Sequence, residues 1–537
     1  MVASTTLKMP LPGPSHVVAS QEDVIEFLLS PASHGRIERV QRIDTHGAVV
    51  FLAGDRVYKL KRAVRFPFMD LSTVEYRKRA CEQEVEINRA YAPQIYLDAI
   101  PVTRSHDGLQ LRGEGEVVDW VVEMKRFDET RTLDRLADRN AISESLLVDI
   151  VAAILVSHEK APIRDGLQAT LSLERYIGQN EEAFGENPAL FPVQEVEALS
   201  EAARRAYRDC FDLLIERGEA GFVRRCHGDL HLRNIAVIDE QPTLFDAIEF
   251  DEAIATCDVL YDLAFLLMDL WDRGLCHHAN VVLNRYLWGA AEGHLVGLAA
   301  LPLFLSIRAA LRAKIAAATA LVQAPEEAES SRAEARRYFE LAHRFLVKLP
   351  PRLAAVGGLS GTGKTTLAMA LAPALGRAPG AIVLRSDIER KRIAGIAETQ
   401  SLPTSGYGPS AAGAVYDSLS RKADLVLAAG YSVILDAVYA RAPQRHVAEG
   451  IALRAGVSFT GFWLEAPLPV MEHRVSARRN DASDADVQVV RKQAGYDLGR
   501  VSWHRLNAAL SRKDIEDEAL SCLALRCADG KPSYHDR

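Results

Sequence analysis

The chain carries two sets of residues whose types and spacing suit phosphate chemistry, one in each half. In the C-terminal half GLSGTGKT, Gly358 to Thr365, has the spacing G-x-x-x-x-G-K-[ST] between an apolar run and the helix-favouring TTLAMALAPAL. Glycines at such a turn let successive N–H groups point inward, so Gly358, Ser360, Gly361, Thr362 and Gly363 are placed to wrap phosphate oxygens. Lys364 then reaches the β/γ oxygens and Thr365 can ligate Mg2+. Thr366 continues a helix whose N-terminus adds partial positive charge. Asp387 ends the next apolar run, AIVLRSD, and Asp436 the one after, SVILDAV. Both belong at the carboxyl edge of a sheet, where ligands of open α/β sheets bind. Asp436 suits a carboxylate that positions Mg2+ or its water, and Asp387 one that orients or deprotonates an acceptor hydroxyl. Capping the following helix is the alternative for each. Arg474 and Arg478 fall four apart on one predicted helical face, with Arg479 beside them, as a phosphoryl clamp or as a solvated face.

In the N-terminal half HGDLHLRNI, His227 to Ile235, has the spacing H-x-D-x-x-x-x-N. At that spacing Asp229 meets an acceptor hydroxyl as base, Asn234 offers an amide oxygen to Mg2+, and His227 holds the loop by hydrogen bonds. His231, inside the loop, is a candidate substrate contact. Earlier, RVYKLKR puts Lys59 and Lys61 on one face of a strand. Glu84, in CEQEVEINRAY, lies on the following helix, where it can pair with a lysine that binds the α/β-phosphates. Solvated strand lysines are the alternative. THGAVV holds one glycine, so a three-glycine cover over the phosphates is absent.

The string that runs from this loop through IAVIDEQPTLFDAIEFDE to CDVLYDLAFLLMDL resembles the aminoglycoside phosphotransferase branch of the protein-kinase-like fold. The resemblance favours Lys59 as the nucleotide lysine and implies that an acidic residue after the hairpin binds Mg2+. IEFDE lines up most naturally with that family's I-D-[WF] string, which gives the metal to Glu249. Asp246, three residues earlier, is the rival, because either hairpin length is acceptable. The family pattern has aspartate at this place, and a glutamate reaches one carbon farther. Asp262, in YDLAF, is expected to anchor the loop. In the other half GGLSGTGKTTLA, RSDIERKR, GYSVILDAVY with Arg445 after it, and HRVSARR…SDA resemble the small P-loop kinases. That group holds zeta-toxin-like, gluconate-kinase-like and polynucleotide-kinase-like members. This second resemblance implies phosphoryl transfer from ATP (or GTP) to a hydroxyl, with Asp387 as the acceptor-side base. Together the two halves look like a bacterial fusion of an aminoglycoside-phosphotransferase-like domain with a P-loop kinase-like domain.

The elements that must position these residues follow from the hydrophobic pattern. The first part has an α+β texture, and the second alternates strand and helix, which predicts a mainly parallel α/β sheet. A charged, helix-favouring stretch from Gln323 ends at Pro350 and Pro351. The expected division is a tail and first helix over 1–34, a kinase-like domain over 35–322, a connector helix over 323–349 and a P-loop domain over 350–537. At 537 residues the chain is long enough for several cores. Its seven cysteines are scattered, odd in number and without a CxxC pair, as in reduced cytosolic proteins. The opening residues lack a secretory pattern, and the most apolar stretch is interrupted by Arg308, Arg312 and Lys314, which argues for a buried helix over a membrane span.

These readings converge on a cytoplasmic, ATP- and Mg2+-dependent phosphotransferase of small-molecule hydroxyls with two nucleotide centres. A formal charge of −8 makes nucleic acid an unfavoured partner. A nucleotide-sensing switch with one inactive centre is a second reading. A polynucleotide 5′-hydroxyl kinase, prompted by Arg390, Lys391 and Arg392, is a third.

Overall fold

A computed structural model describes residues 16–35, 39–45, 47–66, 69–403, 408–478 and 482–523. The first fifteen residues, Arg479 and Cys527 lie outside the described residues. The chain packs as two units, Met1–Arg273 with Leu303–Leu346, and Gly274–Pro302 with Val347–Arg537.

The first unit opens with antiparallel strands β1 (Val40–Asp44), β2 (Ala48–Ala53) and β3 (Arg56–Lys61), followed by a two-residue hairpin, β4 (Arg65–Phe66) and β5 (Met69–Asp70). After the helix Val74–Arg89 come β6 (Tyr96–Ser105), β7 (Gly108–Leu111) and β8 (Glu116–Lys125). They form one sheet in the order β1-β2-β3-β8-β6-β7. Strand alternation sorts β3 cleanly. Tyr58 and Leu60 join a core with Val49 and Phe51, whereas Val57 joins the core under the helix, with Cys81 and Val85. Lys59 and Lys61 therefore point toward that helix. Long helices Glu144–Lys160, Gly166–Gly185 and Val193–Glu219 follow, then β9 (Val223–Arg225). The loop 226–234 leads into the hairpin β10 (Ile235–Ile238) and β11 (Gln241–Leu244), and β12 (Thr256–Asp258) pairs back on β9. The helix Val259–Asp272 is buried along most of its length.

The helix Pro325–Leu346, expected as a connector, belongs to the first unit, where Phe339 meets Phe184 and Phe191 at 5.1 Å. The apolar stretch Gly293–Ala320 is long and apolar enough to span a membrane, yet 83% of its most apolar window is buried inside the fold. Two of the cations that interrupt it have internal partners: Arg308 lies 3.9 Å from Asp262, and Arg312 3.5 Å from Glu334.

In the second unit β13 (Arg352–Gly358), β14 (Ile382–Arg385), β15 (Val433–Asp436), β16 (Ser458–Glu465) and β17 (His504–Asn507) form a parallel sheet. Its order is β14-β15-β13-β16-β17, so the phosphate loop leaves the central strand. The edge strand β14 is closed by a helix the sequence assigned to the first domain. Asn280, Asn284 and Trp288 stand at i, i+4 and i+8 on Cys276–Gly289, one face of a helix. Val383 N–H donates to Asn284 Oδ1 at 2.7 Å, and Trp288 Nε1 donates to the Val383 carbonyl at 2.8 Å. Asn280 and Asn284 also donate to the Ala381 carbonyl, at 3.1 and 3.2 Å. Three side chains thus do what a sixth strand would do, which is why residues 274–302 count with the second unit despite their place in the chain.

Two outcomes test this. Asn284→Ala strands a buried N–H and should lower the stability of the second unit by about 1–3 kcal/mol, measured by denaturant unfolding of the full chain. A fragment of residues 350–537 alone should self-associate through the bared β14 edge, scored by light scattering, whereas the full chain should not.

Candidate active sites

The chemistry of the first unit is built on a buried cluster. Lys59 Nζ lies 2.8 Å from Glu84 Oε1 and 3.3 Å from Asp246 Oδ1. Lys61 Nζ lies 2.6 Å from Glu249 Oε1 and also contacts Glu84 Oε2. All five residues are under 8% exposed. Burial works against each charge, but the carboxylates overcome it at both lysines and hold them above their ordinary value. Burial likewise opposes ionisation of Glu84, yet Lys59 and Lys61 hold its carboxyl below the usual range. At Glu249 burial wins and its carboxyl is pushed up. Three carboxylates meet two ammoniums in a dry site. That excess of buried negative charge is the condition a divalent cation relieves, and hard carboxylate oxygens are the ligands Mg2+ takes.

The loop of Asp229 is tied to this cluster through the backbone. His227 Nε2 donates to the Phe245 carbonyl at 2.9 Å, and Ile248 N–H donates to the His227 carbonyl at 3.0 Å. Burial holds the His227 imidazole below its usual value, so it sits neutral as that donor. Asn234 Nδ2 donates to Asp229 Oδ2 and to the Asp229 carbonyl, both at 2.9 Å, which leaves its amide oxygen available as an acceptor or ligand atom. Burial raises Asp229, but His231 and His227 outweigh it and keep the carboxyl below the ordinary range, so it stays ionised. Asp246, at φ +61°, is held in a left-handed backbone that non-glycine residues seldom adopt. Asn88 secures that segment from the helix: it accepts from Ala247 N–H at 2.7 Å and donates to the Ala247 carbonyl at 3.2 Å.

In the second unit Gly363 (φ +91°) caps the helix Lys364–Leu371 from the left-handed region. A side chain at Gly361 would strike the Met471 carbonyl at 2.6 Å, so only glycine lets the loop pass so close. Lys364 Nζ donates to the Leu359 carbonyl at 3.1 Å, and Ser360 N–H is held by Gln493 at 2.7 Å. Thr365 Oγ1 donates to Asp436 Oδ2 at 2.5 Å. Burial pushes the Asp436 carboxyl up, against Arg385 and Lys364, so this hydroxyl and carboxylate also suit Mg2+. Asp387 sits half-buried in the first turn of Ser386–Ile393. A cavity of about 300 Å³ is lined by Gly361, Thr362, Gly363, Thr366, Arg474 and Arg478. The helix that carries Arg474 ends at Ser476, so Arg478 projects from beyond its end and does not share its face. Arg474 donates to the Ala508 carbonyl at 2.9 Å. Arg445 is structural: its guanidinium bonds the carbonyls of Tyr439, Ala440, Leu498 and Arg500.

Residues 353–496 match the family model AAA_33, described as an AAA domain. The chain is 30% identical over 486 residues to the uncharacterized proteins Rv2004c of Mycobacterium tuberculosis and Mb2027c of Mycobacterium bovis, covering 88% of this chain and 92% of theirs. It belongs to their family. Among solved structures it is similar to a choline/ethanolamine kinase family protein from Mesorhizobium loti (12% identity, 60% of this chain and 98% of that one, TM-score 0.34). It is also similar to a sugar kinase from Janibacter sp. HTCC2649 (24% identity, 33% of this chain and 95% of that one, TM-score 0.25). The fold assignment rests on topology and site geometry. The first unit of this family member is protein-kinase-like, with its lysine–glutamate pair and Asp229 loop, and the second is P-loop kinase-like.

Sequence reasoning missed several supports. His158, Asn88, Asp269 and Arg385 carry no motif, because their partners are distant in the chain. Asp262 does what its motif suggested: it accepts Gly228 N–H at 2.8 Å and His227 N–H at 3.3 Å. His158 Nε2 lies 3.2 Å from it. Burial raises the Asp262 carboxyl, but His158, His227 and Arg308 outweigh it and leave it below its usual value. Its stabilisation is therefore complete above pH 3.8 and lost as the pH falls below that value. Asp262→Asn should cost about 3 kcal/mol at neutral pH and flatten the acid limb of the stability curve, read by denaturant unfolding at pH 7 and in acid.

Proposed function

We propose that the chain is a cytoplasmic phosphotransferase that moves phosphate from ATP (or GTP) to hydroxyl groups of small molecules, with a transfer centre in each unit. The observation that carries the reading is the buried Lys59–Glu84–Asp246 set, bonded through Phe245 and Ile248 to the loop that holds Asp229 and Asn234. A domain that only bound nucleotide could dispense with a base at Asp229.

In the first centre Lys59, fixed by Glu84, holds phosphate oxygens, and Asp229 orients the acceptor hydroxyl and takes its proton. We infer that Asn234 and Asp246 hold Mg2+, with Glu249 kept in place by Lys61. Asp246 is preferred because it touches Lys59, the lysine given to the phosphates, and because its strained backbone is held by Asn88. In the second centre the glycine-rich loop and Lys364 cradle the phosphates, Arg474 and Arg478 line the same cavity, Thr365 and Asp436 hold Mg2+, and Asp387 serves the acceptor. Bound Mg2+ supplies charge neutralisation at the β/γ oxygens in both. None of the six described cysteines is in a disulfide, in keeping with a reducing compartment. Lys391 pairs with Asp484 at 3.0 Å and Arg392 with Glu389 at 2.6 Å, so most of the basic run is spent inside the unit, which weighs against a polynucleotide acceptor.

The test is single-turnover transfer by full-length protein in a Lys364→Ala background, which silences the second centre. Asp229→Asn should then lower transfer about 10²–10⁴-fold while nucleotide affinity stays within a few-fold. Transfer at full rate would remove the base assignment. In the same assay Asp246→Asn should raise the Mg2+ requirement far more than Glu249→Gln, and the reverse ranking would give the metal to Glu249.

A further inference from the structure

A pocket of about 210 Å³, open to solvent on one side, lies in the first unit beside the Asp229 loop. It is smaller than the roughly 300–1,000 Å³ of drug-sized sites, so it suits a single-ring compound. His231 forms one wall. It is 3% exposed, its ring lies edge-on to Phe265, and neither ring nitrogen has a hydrogen-bond partner. Its Nε2 stands 3.4 Å from Asp229 Oδ2, too long for a good hydrogen bond and short enough to share one acceptor hydroxyl with it.

Glu334, Arg337 and Tyr338 of the helix Pro325–Leu346 also line the pocket, and its charged groups are paired. Arg337 makes two bonds to Asp272, at 2.8 and 2.9 Å, and Arg312 faces Glu334 at 3.5 Å. Arg273 bonds Asp269 at 3.3 Å and Asp138 at 2.9 Å, and Arg233 has Asp134 at 3.7 Å. Both Arg312 and Arg337 lie over the Tyr338 ring, at 5.5 and 5.3 Å, which leaves an aromatic surface framed by guanidiniums and carboxylates. A cation or an anion gains no net attraction from such a lining and would have to break a pair to enter. A neutral polyol loses nothing by it, since each hydroxyl donates to a carboxylate and accepts from a guanidinium.

We propose that this pocket is the acceptor site of the first centre and selects a neutral polyhydroxy compound, a sugar or cyclitol, with His231 holding the reacting hydroxyl toward Asp229. The proposal rests on the kinase reading above. In the step, the acceptor oxygen forms a bond to the γ-phosphorus as the bond from that phosphorus to the β–γ bridging oxygen breaks. The nucleoside diphosphate leaves with the electron pair, and the hydroxyl proton passes to Asp229.

The test uses full-length Lys364→Ala protein with Mg2+ and ATP. Glucose and myo-inositol are compared with glucosamine and gluconate, by equilibrium binding and by mass shift of the product. The neutral pair should bind, and should react with kcat/KM at least about 10-fold above the charged pair. Arg337→Gln, at an exposed arginine, leaves Asp272 uncompensated and should move the preference about 10-fold toward glucosamine, and Asp272→Asn should move it toward gluconate. Preference for a charged probe, a ranking unmoved by both variants, or no binding of either neutral compound overturns the proposal. Neutral binding that follows the predicted charge shifts, without Asp229-dependent transfer, overturns the kinase reading and leaves the pocket's selectivity standing.

Discussion

Removing charge from water is expensive, and the first unit keeps five charges in its dry interior around Glu84. Two lysines from one strand face, a glutamate from the adjoining helix and two carboxylates from the segment after the hairpin hold each other there. Any one of them alone would cost several kcal/mol, so the strand, helix and segment can be buried only as a set. That requirement fixes the register of β3 against the helix Val74–Arg89. It also fixes the position of residues 246–249, and through His227 the position of the Asp229 loop. The same set carries three carboxylates against two ammoniums, so the constraint that builds the site also leaves it acidic.

A second buried carboxylate organises the loop from below. Asp262 gathers two backbone N–H groups and His158, with Arg308 3.9 Å away. Arg308 is itself buried against the rings of Tyr261 and Phe265. An arginine in an apolar stretch of this kind would be prohibitive without such partners. With them, it ties the helix that bears it to the floor of the catalytic loop. About two turns farther along the same helix as Asp262, Asp269 accepts Leu232 N–H at 3.0 Å, so both ends of the loop are pinned to a single rigid element.

The second unit solves a different problem. A parallel sheet leaves unpaired backbone groups at its edge, and here two asparagines and a tryptophan of one helix satisfy them. Because that helix precedes the P-loop domain by many residues, the structural division of the chain does not follow its linear order. The chain enters the second unit at 274, returns to the first at 303 and crosses again at 347. The helix that pins the catalytic loop and the helix that closes the β14 edge are consecutive in sequence, so neither half can be excised by one cut.

What the sequence by itself determined was everything whose chemistry is local. The phosphate loop needs glycines, a lysine and a threonine within eight residues. The catalytic loop needs His227, Asp229 and Asn234 within eight. Asp436 and Asp387 follow strands that alternation and apolar runs mark clearly. Lys59 and Lys61 were legible as one strand face, and Asp262 as a helix-start anchor. Tertiary structure alone decided which partners those residues meet. Asn88, His158 and Asn284 sit in helices with no motif, and their value lies in bonds to residues about 100 to 160 positions away. The hairpin length left Asp246 and Glu249 open, because a shift of three residues changes nothing in the local pattern and everything in which lysine is met. The extra fold boundary at 274–302 was hidden for the same reason: backbone satisfaction at a sheet edge is a long-range demand, and a helix that meets it looks like any other helix in its own sequence.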